Sequence, residues 1–192
     1  MNKSHLTYLA SPEWAEELRR ELLPWIATIG DLGDDVLEIG PGPGRSTDLL
    51  RERVARLTAV EVDPALADAL ATRLAGTNVE VRHGDGADTG LPGGRFSAVT
   101  AFSVLHHVPT AEHQDRVFAE VQRVLRPGGI FVGTDALDIE PTRLAHLDDV
   151  WTPIDLASFP GRLRDLGFGE TSIDQDGRHF RFATRKPETP TR

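Results

Sequence analysis

A carboxylate, three glycines alternating with two prolines, and two hydroxyls follow one another in a short stretch: Glu38, then Gly40-Pro41-Gly42-Pro43-Gly44, then Ser46 and Thr47. The apolar run Val36-Leu37 leads into the acid, so the stretch reads as a strand, a tight turn and the start of a helix. Glycines without Cβ atoms let a ligand approach the backbone. Pro41 and Pro43 cannot donate amides, so the loop is a poor phosphate cradle and suits a ligand that lacks phosphates. A second acid, Glu61, closes the next apolar run about twenty residues on, where folds of this kind hold a ribose diol. The chemistry indicated is the binding of a nucleoside cofactor.

The elements that must position these residues are legible in the hydrophobic pattern. Apolar, β-branched runs alternate with helical periodicity, the pattern of βαβ units with a parallel sheet covered on both faces. Strands are expected at Asp35–Ile39, Leu57–Val62, Asn78–Arg82, Phe96–Phe102 and Gly129–Thr134. Pro64 opens a helix in which Leu66, Leu70 and Leu74 share a face. Thr110 caps another, lined by Val117, Val121, Val124 and Leu125, and Arg126-Pro127-Gly128-Gly129 stops it. A short helix over Pro160–Leu166 precedes two strands, Glu170–Asp174 and Arg178–Thr184. They are separated by Gln175-Asp176-Gly177, whose Asp-Gly pair is a hairpin signal. Residues 1–30 read as an amphipathic helical extension with Tyr8, Trp14 and Trp25, a candidate lid. Residues 31–185 form the main domain, and 186–192 a loose tail. Residues 135–158, with Asp135, Arg143, His146 and Trp151, leave the carboxyl end of a strand, where open sheets bind ligands.

Composition narrows the function classes. The chain has 192 residues, enough for one domain with a full core. It has no cysteine, which removes disulfides, thiolate metal sites and thiol nucleophiles, and no metal site is expected. Thirty acidic residues against 21 basic ones give a net charge of -9, which argues against nucleic acid and anionic membranes as partners. No run spans a membrane and Met1 to Glu17 contains no secretory signal, so a cytoplasmic location is expected.

The ordered motifs Glu38-Ile39-Gly40-Pro41-Gly42-Pro43-Gly44, Glu61-Val62-Asp63-Pro64, Gly84-Asp85-Gly86, Leu105-His106-His107 and Leu125-Arg126-Pro127-Gly128-Gly129 resemble class I S-adenosylmethionine-dependent methyltransferases over roughly residues 30 to 185. The resemblance implies a Rossmann-like, doubly wound α/β sheet of seven strands, mostly parallel, with the last strand antiparallel between the fifth and sixth. The first half is similar to ribosomal RNA adenine dimethylases. Those enzymes carry an Asn-Leu/Ile-Pro-Tyr-type base-binding motif after the fourth strand. Here that place reads Phe102-Ser103-Val104-Leu105-His106-His107, which instead resembles the small-molecule branch of quinone and natural-product methyltransferases. Ser97 also departs from the family, where an Asp often follows the fourth-strand Phe.

For a sulfonium cofactor the resemblance implies particular roles. Glu61 would hold both ribose hydroxyls, Asp85 the adenine amine, and the Gly86 amide an adenine ring nitrogen. Glu38 would approach the ammonium group, directly or through water. Gly40, Gly42 and Gly44 would give room, and the carbonyl of Ala101 or Phe102 would face the ammonium. Each has a structural alternative: a strand-end acid for Glu61, an Asx-turn for Asp85, a loop-amide acceptor for Glu38. The expected reaction is in-line methyl transfer to a small-molecule acceptor, leaving S-adenosylhomocysteine, and alignment supplies much of the acceleration. His106 and His107 are the candidates for a general base, because imidazole titrates near neutral pH. Asp135, His5, Tyr8 and His146 are weaker ones, and His113 is expected on a helix surface. An RNA or protein methyltransferase, and a cofactor-binding protein without chemistry, remain open alternatives. A nicotinamide dehydrogenase fits less well, since its fingerprint wants glycine where Arg45 stands. The acceptor atom and the oligomeric state are not legible in the sequence.

Overall fold

The run Asp35–Ile39 is buried at every residue, as a strand covered on both faces must be. It is β1 of the computed structural model, which describes residues 3–188, with side chains from Leu6 onward. The side chain of His5 and residues 189–192 of the expected tail lie outside the described residues. The remaining strands are β2 (Arg56–Glu61), β3 (Val79–His83), β4 (Phe96–Phe102), β5 (Leu125–Ala136), β6 (Ser172–Gln175) and β7 (His179–Arg185). They form one sheet in the order β3-β2-β1-β4-β5-β7-β6. Leu37 lies between Thr58 of β2 and Val99 of β4, both in parallel register. β7 runs antiparallel between β5 and β6, with Phe182 opposite Gly133 on one side and Ile173 on the other. The expected seven-stranded α/β sheet with an antiparallel last strand is therefore present.

Two expected boundaries differ for local reasons. β5 starts at Leu125 rather than Gly129, because Leu125 already pairs with Phe96 before the register shifts to Ala98 opposite Ile130. The helix ends before this run as expected, and Arg126-Pro127-Gly128 bulges out between these pairs inside the strand. β6 covers Ser172–Gln175 rather than Glu170–Asp174, so Gln175, expected in the turn, lies in the strand. Gln175 pairs with Phe180, and the Asp176 carboxylate accepts the amides of Arg178 and His179, both at 2.8 Å. An Asx-type cap thus shapes a wider hairpin. Lys186 is not loose: its Nζ donates to the carbonyls of Gln122 (2.7 Å) and Leu125 (2.9 Å).

The N-terminal segment is broken rather than one helix. α1 (Lys3–Leu9) is followed by α2 (Pro12–Glu17), a wide π-type turn over Leu18–Leu22, and α3 (Leu23–Ile29). Ser11 caps α2 by accepting from the Trp14 amide. The π turn directly precedes Pro24, which has no amide to donate to the previous turn, and widening the helix accommodates that loss. Leu18, Leu22 and Ile26 are buried with Leu49 and Leu50 of α4 (Arg45–Leu50) and Val36 of β1. The stretch from Leu18 onward therefore packs into the core, and α1, α2 and the Leu18 side chain stand over the site. α5 (Pro64–Arg73) starts on Pro64 with Asp63 as its cap. The opposite layer contains α6 (Ala111–Val124) and α8 (Phe159–Asp165), around Phe96, Phe118, Phe131, Phe159 and Phe182. α7 (Glu140–Ala145) lies in the segment between β5 and α8.

Candidate functional site

β1 pairs with β2 on one side and β4 on the other, so the chain switches direction around it, and the crevice at such a point is where ligands bind. A cavity of about 420 Å³ opens there. Its floor is Gly40–Pro43 and Ser46, its walls are Glu61–Pro64 and Phe102–Val104, and Leu6, Leu9, Trp14 and Leu18 cover it. Gly42 has φ +54 and open space where a Cβ would stand, so its backbone is bare to the cavity. Gly40 has φ +64, and a Cβ there would run into Val104. Arg45 fastens the cover, donating to the Ala10 carbonyl at 2.9 Å and 2.5 Å.

Glu61 ties the crevice together. One carboxylate oxygen accepts the Gly42 amide and the other the Asp63 amide, both at 2.9 Å. Two of roughly four acceptor positions on the carboxylate are used, which leaves capacity for a vicinal diol from the cavity side. Glu38 sits elsewhere. It is buried under the loop, accepting from Ser46 Oγ at 2.5 Å and Thr47 Oγ1 at 2.6 Å, and it is not part of the cavity wall. Burial pushes its carboxyl up to about 7, against the two hydroxyl hydrogen bonds that favour its charge.

Asp85 is exposed and makes the Asx-turn of its structural alternative, accepting the Ala87 amide at 2.8 Å. His113 pairs with it at 2.9 Å, so that histidine is engaged rather than idle on a helix surface. Neither Asp85 nor Gly86 is in the cavity wall. Gly44, at φ +83, faces Leu70 and Arg73. Ala101 is sealed in the sheet core, while Phe102 reaches the cavity.

The two histidines after β4 differ in surroundings. The Asp135 carboxylate accepts the amides of Leu105 (2.8 Å) and His106 (3.2 Å) and also pairs with His106 Nδ1. Burial opposes the Asp135 charge, but the His106 ring and the Ala136 amide outweigh it and hold the carboxyl below the usual range. His106 is buried, and its Nε2 has no hydrogen-bond partner among the described residues. His107 lines the 420 Å³ cavity together with Asp149, whose carboxylate lies 3.9 Å from its Nδ1. His146 joins them from the segment after α7: its Nδ1 lies 2.7 Å from the Thr142 carbonyl, and its ring is 4.7 Å from that of His106. Burial lowers the His146 pKa. No metal site was expected from the sequence, yet ligand nitrogens of these three histidines lie within 4.8 Å of one another.

A second cavity of about 340 Å³ adjoins the first, sharing Leu9, Trp14 and Ser103 with it. Tyr8 and Trp14 come from the N-terminal extension, Ala136 from the end of β5, and Thr142, Ala145 and His146 from the segment after it. Ser103, at the junction, has φ +53, a strained value for a non-glycine residue. Residues not singled out from the sequence hold this region. Gln114 donates to the carbonyls of Leu105 (3.1 Å) and Thr152 (2.7 Å), and Arg162 braces Gln114 and Asp115. Gln114 alone carries a readable signal, a polar residue on the apolar face of α6; Asp149 and Arg45 carry none.

Residues 37–133 match the model of a family described as a methyltransferase domain. A probable S-adenosylmethionine-dependent methyltransferase of Mycolicibacterium smegmatis is 35% identical over 138 residues, covering 72% of this chain and 48% of that protein. Ribosomal RNA small subunit methyltransferase A of Geobacter metallireducens is 44% identical over 69 residues, 34% of this chain and 25% of its own length. The chain spans about half or less of these curated relatives. Among solved structures, the [4+2]-cyclase SpnF matches with a TM-score of 0.70 at 19% identity, covering 88% of this chain and 80% of that one. That likeness concerns the fold alone. No helix among the described residues is long and apolar enough to cross a membrane.

Proposed function

This chain belongs to the methyltransferase-domain family, and from that premise we propose that it moves the methyl group of S-adenosylmethionine onto a small molecule held in the second cavity. The observation that carries this reading is the pair of adjoining cavities. One is built on the glycine loop and Glu61, and the other is enclosed by the extension and the segment after β5. Both volumes suit small ligands. When bound, the cofactor supplies a sulfonium-activated methyl carbon, whose bond to sulfur breaks with its electron pair as the acceptor's lone pair bonds to carbon.

The residues present fit such a cofactor. Glu61 holds the ribose diol, and the bare backbone at Gly42 admits the ligand. Ser46 and Phe102, both in the cavity wall, would flank its amino-acid end, with Glu38 behind Ser46. Asp85, outside the cavity wall, would hold the adenine amine in place of its present partner His113. Leu9, Trp14 and Ser103, shared by the two cavities, line up acceptor and methyl.

The 340 Å³ cavity is of small-molecule size, with Tyr8, Leu9 and Trp14 facing polar groups such as Glu17, His146 and Arg178, and the chain's net negative charge repels polyanions. Both favour a small acceptor over RNA. Calorimetric titration with S-adenosylhomocysteine is the direct test. Binding to a single site is expected in the native chain and its loss in Glu61→Ala, with no binding of nicotinamide dinucleotide. Absence of S-adenosylhomocysteine binding would overturn the cofactor assignment. Methyl incorporation into RNA, abolished by nuclease, would overturn the acceptor assignment.

A further inference from the structure

We propose that His106, His107 and His146, gathered at the junction of the two cavities with Asp149 beside them, bind one divalent late-transition-metal cation of the imidazole-preferring kind, such as zinc, cobalt or nickel.

The ligand atoms are already oriented. The Asp135 carboxylate on His106 Nδ1 and the Thr142 carbonyl on His146 Nδ1 place the proton of each ring on that nitrogen. Both Nε2 lone pairs are thereby presented as donors. A carboxylate or carbonyl behind a histidine is the usual outer support of a metal-bound imidazole. His106 Nε2, buried and without a hydrogen-bond partner among the described residues, is a polar atom whose burial is costly unless something binds it. Nitrogens of all three rings fall within 4.8 Å of one another. Around a tetrahedral ion, metal–nitrogen bonds near 2.0–2.1 Å put the nitrogens about 3.3 Å apart, so small ring rotations suffice.

Charge also favours a dication. Asp135 and Asp149 have side chains only 1% and 3% exposed, and both face the histidines. Two buried carboxylates and three neutral imidazoles become charge-neutral as a group once a 2+ ion is present. The backbone is committed to this arrangement. Asp148 has φ +65, turning the chain just before Asp149, and the Thr152 amide donates to the His106 carbonyl at 2.8 Å. Trp151 covers the cluster, its ring 4.4 Å from that of His146. All three ligands are nitrogen and one neighbour is a carboxylate, a set that suits zinc, cobalt and nickel better than magnesium or calcium.

The test uses the full chain, free of any affinity tag and stripped with chelator. It is titrated with Co(II) while visible ligand-field absorption is followed, and with Zn(II) by calorimetry. A single saturating equivalent is expected. His107→Ala and His146→Ala should each weaken binding by roughly tenfold or more, and so should Asp135→Asn through His106. S-adenosylhomocysteine affinity, measured on His146→Ala, reports that the variant is folded and keeps this result separate from the cofactor reading. No saturable absorption band, or a band of unchanged affinity in either histidine variant, would overturn the proposal.

Discussion

Glu38 is the residue whose charge state couples the site to pH. Its folded-state pKa of about 7 lies above the ordinary value of 4.5. The folded chain therefore keeps a proton that the unfolded chain releases above 4.5. The stabilisation is full below that value and is lost as pH rises to about 7, a change on the order of 3 kcal/mol for the shift from 4.5 to about 7. Urea unfolding at about pH 5 and about pH 8 should show this loss in the native chain and a flatter profile in Glu38→Gln. A cationic cofactor next to Ser46 favours the ionised carboxylate, so its affinity should rise with pH across the same window, and the rise should vanish in Glu38→Gln. Glu61 contributes through its hydrogen bonds. It accepts two backbone amides, so Glu61→Gln, which exchanges one acceptor oxygen for a donor, must lose one of them. Cofactor affinity should fall by roughly tenfold or more, a hydrogen bond to a charged acceptor being worth about 1.5–3 kcal/mol; calorimetry would read it.

At the scale of elements, α1 is the movable piece. Leu6 and Leu9 cover the 420 Å³ cavity, and Arg45 clasps the turn after α1 through the Ala10 carbonyl. From Leu18 onward the extension is core. Removing residues 1–10 should thus leave a folded protein whose turnover falls more than its S-adenosylhomocysteine affinity, as steady-state kinetics and calorimetry would show. Equal losses in both would mean that α1 is part of the cofactor site and not a cover. The strands and the helices α5 and α6 were readable because local signals agree with the final packing: burial runs in β1 and β4, Pro64 after its cap Asp63, Thr110 before an apolar face. The glycine turn after β1 and the strand end at Glu61 were readable as structure for the same reason, each being set by its own strand and turn. The π turn before Pro24 and the bulge at Arg126-Pro127-Gly128 were not, since each depends on how a breaker is absorbed by its neighbours. The meeting of His107, Asp149 and His146 was not readable either. It depends on the path of a segment with no hydrophobic period, held by Gln114 and the Thr152 amide.

For the molecule as a whole, the two layers are joined through the sheet, and the side containing α6 and α8 carries most of the aromatic packing. Phe182 on β7 is 1% exposed and meets Phe131 and Phe159 edge-on, each with ring centroids 4.9 Å apart. Phe182→Ala should cost about 3–5 kcal/mol in chemical unfolding, more than any change in the extension ahead of Leu18. β7 has one more consequence. The strand that separates β5 from β6 is made after both of them, so a chain emerging from the ribosome carries Ile130–Ala136 as a bare sheet edge until residues 179–185 are synthesised. Until then that edge can pair with a neighbouring nascent chain, so the interval between synthesis of β5 and of β7 is one in which the chain is exposed to aggregation.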